Sequence, residues 1–201
     1  IRLVGPGNVV RAIRYARRRD RLDARARASD EDQHEAEPRF PGRLRGVESA
    51  LSGAFFQFET TCLQVRFLST DLVFIGWNGA GMTPSWAVTM TELPKVDITL
   101  SEISAGEWSV RSEALDVRVG RDGSLRYLDL GGRTIRAEDA IYCCGEAWAS
   151  SAPLEPDAMI CGLGERAAGL NLRPGSYRFW NRDPGGSYGP GDDPLYITMP
   201  V

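Results

Sequence analysis

The sequence has very little histidine, almost no lysine and no long apolar run. His34 is the only histidine, so a Ser-His-Asp triad has no obvious base and a zinc site has no second imidazole. No stretch of about 18 consecutive apolar residues occurs, which excludes a membrane-spanning helix. The opening Ile1-Arg-Leu-Val-Gly-Pro-Gly lacks a basic segment followed by an apolar one, so no secretory signal is visible, and it lacks an initiating Met. Cys62, Cys143, Cys144 and Cys161 form no CxxC pair. Cys143 and Cys144 fall on a strand-like run and point to opposite faces, so the expectation is buried, reduced thiols in a cytoplasmic protein. A net charge of -3 and a pI near 5.3 give the chain as a whole no electrostatic footprint for nucleic acid or an anionic membrane. Lys95 stands alone against the arginines, a pattern of codon usage rather than chemistry.

With 201 residues, 42% of them hydrophobic, the chain can bury one substantial core. Charge divides its first 46 residues. Residues 11–27, RAIRYARRRDRLDARAR, carry eight arginines against Asp20 and Asp23, and residues 28–38, ASDEDQHEAEP, carry five acids and no base. Val9, Ile13 and Ala16 make only a thin apolar stripe, so this segment reads as a short solvated helix or a disordered arm followed by a linker. Tyr15 is the one aromatic among these arginines, too little to supply the stacking of a nucleic-acid arm.

After Pro38 and Pro41 the pattern changes. Residues 54–60, 63–68 and 72–77 are β-branched and aromatic runs, and residues 108–111, 115–119 and 125–130 alternate apolar with polar, the two-residue period of half-buried strands. Gly120-Arg-Asp-Gly-Ser joins two of these runs, and Gly131-Gly132 marks a tight hairpin. Strands at this spacing with short turns predict an all-β, antiparallel sandwich over residues 47–201, with residues 1–46 as a separate segment. No fixed repeat favours a propeller.

The chemistry-bearing candidates lie near the end. Gly162-Leu-Gly-Glu-Arg-Ala-Ala-Gly169 has glycines at loose spacing but neither a phosphate-loop Gly-Lys-Ser nor a GxGxxG, so no nucleotide cofactor is expected, nor any other. Asn181-Arg182-Asp183 precedes Pro184-Gly-Gly, an order that also suits a plain turn. Trp77, Trp86, Trp108, Trp148 and Trp180 read as core packing, the default for aromatics on strands. Glu165 reads as structural, pairing with an arginine or binding backbone amides.

The ordered series Gly162, Gly164, Glu165, Leu170, Asn171, Tyr177, Trp180, Asn181, Asp183, Tyr188, Asp193, Pro194, Leu195 and Tyr196 resembles the end of the N-terminal sandwich of glycoside hydrolase family 31, the α-glucosidase and α-xylosidase family. The resemblance covers about residues 47–201. It implies a galactose-mutarotase-like sandwich preceding a (β/α)8 catalytic barrel, with Leu195–Val201 as a strand whose chain continues toward that barrel. In the family the two catalytic carboxylates lie in the barrel, and this sequence has no Trp-x-Asp-Met-Asn-Glu type motif. Retaining hydrolysis needs two carboxyl groups about 5 Å apart, so the 201 residues alone are expected to be inactive, with no catalytic or metal-binding residue. The resemblance places Asp183, with Asn181 and Arg182 beside it, at the leaving-group side of the pocket, and makes an oligosaccharide or α-glucoside and the chain's own barrel the expected partners. A free-standing carbohydrate-binding or mutarotase-like module is the alternative.

Overall fold

The computed structural model describes residues 5–34, 37–82, 92–145, 147–173, 175–184, 188–193 and 195–199. The chain divides into two compact units, Ile1–Pro153 and Leu154–Val201.

The first unit begins with a helix, α1 (Pro6–His34), 29 residues long. It is longer than the short segment expected from sequence, and its thin apolar stripe is solvated: Val9, Ile13 and Leu22 are each close to half exposed. Straight-chain arginines and alanines favour helix intrinsically, which accounts for its length without a packed face.

Strands β1 (Leu44–Ala50), β2 (Gly53–Phe58), β3 (Cys62–Ser69) and β4 (Leu72–Trp77) form one antiparallel meander in chain order. Strands β5 (Thr99–Ser104), β6 (Glu107–Arg111), β7 (Leu115–Val119), β8 (Leu125–Asp129) and β9 (Thr134–Glu138) form a second. The alternation seen in sequence becomes two facing inner surfaces. Ala54, Phe56 and Phe58 on β2 are buried, and so are Leu63, Val65 and Phe67 on β3, while Gln57, Gln64 and Arg66 between them are not. Register locks the two sets together, with Ala54 opposite Val65 and Phe56 opposite Leu63. The other sheet offers Val110, Val117, Val119 and Leu125 to the same core, with Val110 opposite Val117 and Val119 opposite Leu125. A slip of one residue would turn either set out to solvent, so burial fixes the pairing. Two sheets sharing one apolar layer make an antiparallel β-sandwich, as expected.

Trp77 and Trp108 pack against this core. Trp148 does not: it lies on β11 (Ala147–Ala149), paired with β10 (Tyr142–Cys144) in a small separate sheet, and is 46% exposed. Trp86 is outside the described residues. All four cysteines are free of disulfides; Cys161 is exposed and the other three are half-buried, so they are less buried than expected.

Turn chemistry follows the sequence closely. At the β8–β9 hairpin the Gly132 amide donates to the Asp129 carbonyl at 3.0 Å, and Gly132 takes a φ of +85°, which a residue with a Cβ rarely adopts. Asp129 completes the corner by accepting the Arg133 amide at 2.9 Å and its Nε at 3.0 Å. At the β7–β8 turn, burial works to raise the Asp122 carboxyl. Bonds from the Ser124 hydroxyl and amide outweigh it and hold the group below its usual range. One polar pair is buried in the second meander: the Ser109 hydroxyl donates to Asp116 across β6 and β7 at 2.5 Å, and the Arg118 Nε donates to its other oxygen at 3.1 Å.

Candidate functional site

The second unit has no described helix or extended strand, and its geometry comes from three chain segments laid side by side. The middle one is residues 191–199. On one side lie residues 163–167: the Glu165 amide donates to the Ile197 carbonyl at 2.8 Å, the Met199 amide to the Leu163 carbonyl at 3.2 Å, and the Gly191 amide to the Ala167 carbonyl at 2.6 Å. On the other side lie residues 178–182, with the Arg182 amide donating to the Leu195 carbonyl at 2.9 Å. Leu195, in the middle of the three segments, is 2% exposed. The expected closing strand at residues 195–201 is therefore reduced, over its described part, to a single bridge between Thr198 and Gly164. A regular ladder cannot form against residues 162–164 because Gly162, Leu163 and Gly164 all have positive φ, at +90°, +61° and +89°.

That run explains the Gly-x-Gly-Glu motif. A Cβ on Gly164 would lie 2.4 Å from the Ile197 carbonyl oxygen and 2.8 Å from the Thr198 Cα, so both conformation and close approach require glycine. Glu165 is exposed and contributes its backbone amide to this junction; among the described residues its carboxylate has no arginine or amide partner of the kind expected.

The three residues singled out from sequence, Asn181, Arg182 and Asp183, are consecutive on the outer segment but have different settings. The Asn181 Oδ1 accepts from the Thr198 amide at 2.9 Å and the Thr198 hydroxyl at 2.8 Å, so its side-chain oxygen holds the middle segment. Arg182 is half-buried and pinned through its amide. Asp183 is exposed, immediately after these two anchor points. Trp180, expected in the core, is 46% exposed, with the Arg178 guanidinium 6.0 Å from its ring centre. The Gly-rich turn that follows falls at residues 185–187, outside the described set.

Sequence reasoning did not single out Arg166 or Arg178. Arg166 forms an ion pair with Asp193, and its side chain is 3% exposed. Its Nη1 also donates to the Arg178 carbonyl at 3.2 Å, and the second Asp193 oxygen accepts the Arg178 amide at 2.9 Å. The rings of Tyr177 and Phe179 each lie 5.7 Å from the guanidinium carbon. The signal was available as an arginine directly after Gly-x-Gly-Glu and an aspartate before Pro-Leu-Tyr, but pairing across 27 residues has no local spacing to reveal it.

Asn171 is a turn residue: its Oδ1 accepts the Ile160 amide at 3.3 Å and the Arg173 amide at 3.2 Å. Among the described residues no three His, Cys, Asp or Glu side chains come together in a way that could hold a metal ion.

This fold is similar to that of a glycoside hydrolase family 31 dextranase from Flavobacterium johnsoniae. The similarity holds for a mutant of that enzyme complexed with isomaltotriose (TM-score 0.67) and for the enzyme complexed with glucose (TM-score 0.68). In both cases identity is 21%, and the match covers 81% of this chain but 21% of the dextranase chain, so the present sequence spans about a fifth of that protein. No curated protein sequence matches the chain. Residues 62–201, which include the sandwich from β3 onward and the whole Gly-x-Gly-Glu to Asp-Pro-Leu-Tyr region, match the family described as the glycosyl hydrolase 31 N-terminal galactose mutarotase-like domain. A match over that much of the chain, together with the shared sandwich, makes this protein a member of the glycoside hydrolase 31 N-terminal domain family.

Proposed function

We propose that this chain is the N-terminal part of a retaining α-glucosidase-like enzyme, and that it lends Asp183 to the substrate pocket of a catalytic barrel carried by the same polypeptide. The observation that carries the reading is the setting of Asp183: an exposed carboxylate directly after Asn181 and Arg182, both anchored to the middle segment. A carboxylate on backbone anchored up to the residue before it accepts hydroxyl hydrogen bonds from a sugar at a smaller ordering cost. The second unit also exposes Leu170, Phe179, Trp180, Tyr188, Ile197 and Met199. A barrel covering part of it accounts for that exposure. The dextranase structures with isomaltotriose and glucose make α-linked gluco-oligosaccharides the first substrates to test.

In the full-length protein, Asp183→Ala should lower kcat/KM by roughly 1.5–3 kcal/mol, the size of a charge-assisted hydrogen bond, chiefly for substrates longer than a disaccharide. Unchanged kinetics on both short and long substrates would refute the role. A free-standing carbohydrate-binding module is the second reading, favoured by exposed Trp180 beside Asn181 and Asp183. Calorimetric titration of the 201-residue chain with maltose and isomaltotriose separates them: binding at millimolar concentration or tighter supports the module, and its absence supports a domain that needs its barrel.

A further inference from the structure

We infer that Arg166 is a positioning residue that sets the path of the Asp183 segment through Asp193, and that its purpose is register rather than stability. The inference rests on Asp183 being a substrate contact. Arg166 and Asp193 grip the same peptide unit pair from both directions: the guanidinium donates to the carbonyl of Arg178, and the carboxylate paired with that guanidinium accepts the amide of Arg178. A shift of the outer segment by one residue would break both bonds at once. The rings of Tyr177 and Phe179 each lie 5.7 Å from the same guanidinium carbon, so four contacts converge on the three residues leading into Trp180. From there the anchors continue at Asn181 and Arg182, and Asp183 is the next residue.

As a device for stability the arrangement is poor. The guanidinium is 3% exposed, yet its Nε and Nη2 have no hydrogen-bond partner among the described residues. Burying a charge with part of its donor set unsatisfied costs much of what the ion pair returns. What the guanidinium supplies instead is direction: both acceptors sit on Nη1, whose two N–H bonds are fixed in the guanidinium plane, where an ammonium would rotate freely. Direction matters most for a segment that has no ladder to fix its register, and residues 177–183 have none.

The test is a double-mutant cycle in the full-length protein with Asp183→Ala, Arg166→Lys and both together, reading kcat and KM on isomaltotriose and longer oligosaccharides, with thermal midpoints alongside. Arg166→Lys keeps the charge and loses the fixed pair of planar N–H donors. The expected result is a several-fold loss of kcat/KM in Arg166→Lys and a double variant no worse than Asp183→Ala alone, because both changes remove the same contact. Should Arg166→Lys fail to fold, Asp193→Asn carries the same cycle. If Asp183→Ala lowers kcat/KM but the second change multiplies that loss, or shifts only the thermal midpoint, the positioning role is overturned while the Asp183 contact stands. If Asp183→Ala itself has no effect, the contact fails and Arg166 has nothing to position.

Discussion

The two units of this chain solve the same problem, holding backbone segments side by side, with different residues. In Ile1–Pro153, neighbouring strands are held by ladders whose inner faces are Phe56, Phe58, Phe67, Val65, Val117 and their neighbours, all essentially inaccessible. In Leu154–Val201 the buried hydrophobic residues among those described are Leu172 and Leu195, and the segments are held by glycine geometry, an asparagine oxygen and a buried arginine–aspartate pair. The difference explains why the recognisable motif lies in the second unit. Many apolar residues can fill a sandwich core to similar effect. Few residues can replace Gly164 beneath the Ile197 carbonyl, or Asn181 between two donors of Thr198.

The comparison can be broken most forcefully in the core. Phe56→Ala deletes a fully buried ring at the centre of the first meander and should cost about 3–5 kcal/mol, read as a lower denaturation midpoint of the whole sandwich transition. A loss below about 1 kcal/mol would mean the sandwich does not depend on its shared apolar layer. Gly164→Ala should be smaller and local. It combines a positive φ with a backbone contact of 2.4 Å, a cost of about 2 kcal/mol or more, and should speed hydrogen exchange at the Glu165 and Met199 amides without changing exchange at Val65 or Val117. Equal acceleration in both units would show that the second is not separately held.

The same contrast decides how much of the molecule was legible in the sequence. Strands β2, β3 and β4 are readable as β-branched and aromatic runs, with alternate residues of β2 and β3 buried, and β6, β7 and β8 are readable from the apolar-polar alternation of their sequences. β1 and β5 were truncated and missed because LRGVESA and TLSEIS are mostly exposed on both faces, so burial imposes no alternation on them. Asn181, Arg182 and Asp183 were singled out through their motif. The motif could not say that Asn181 spends its oxygen on Thr198, nor that Trp180 lies outside the core. Asp193 stood in the motif, but its pairing with Arg166 escaped notice because that partnership exists only after residues 163–167 and 191–193 come together.

The smallest effect sharpens the comparison, because one corner of the first unit is held by the kind of polar peg that dominates the second. Asp129 accepts both the Arg133 amide and its guanidinium at the β8–β9 hairpin, and the backbone bond above all holds its carboxyl below the usual carboxylate range. A carboxyl whose folded pKa is depressed releases its proton more readily in the folded state than in the unfolded one. Its contribution is therefore fully present above the unfolded value, about 3.9, and is lost as pH falls through the lower folded value. Asp129→Asn should lower the thermal midpoint slightly at neutral pH, and the gap from the parent protein should narrow as acid protonates Asp129. A gap that stays constant down to about pH 2 would mean the corner depends on side-chain shape alone, and polar pegs in the two units would then work by different physics.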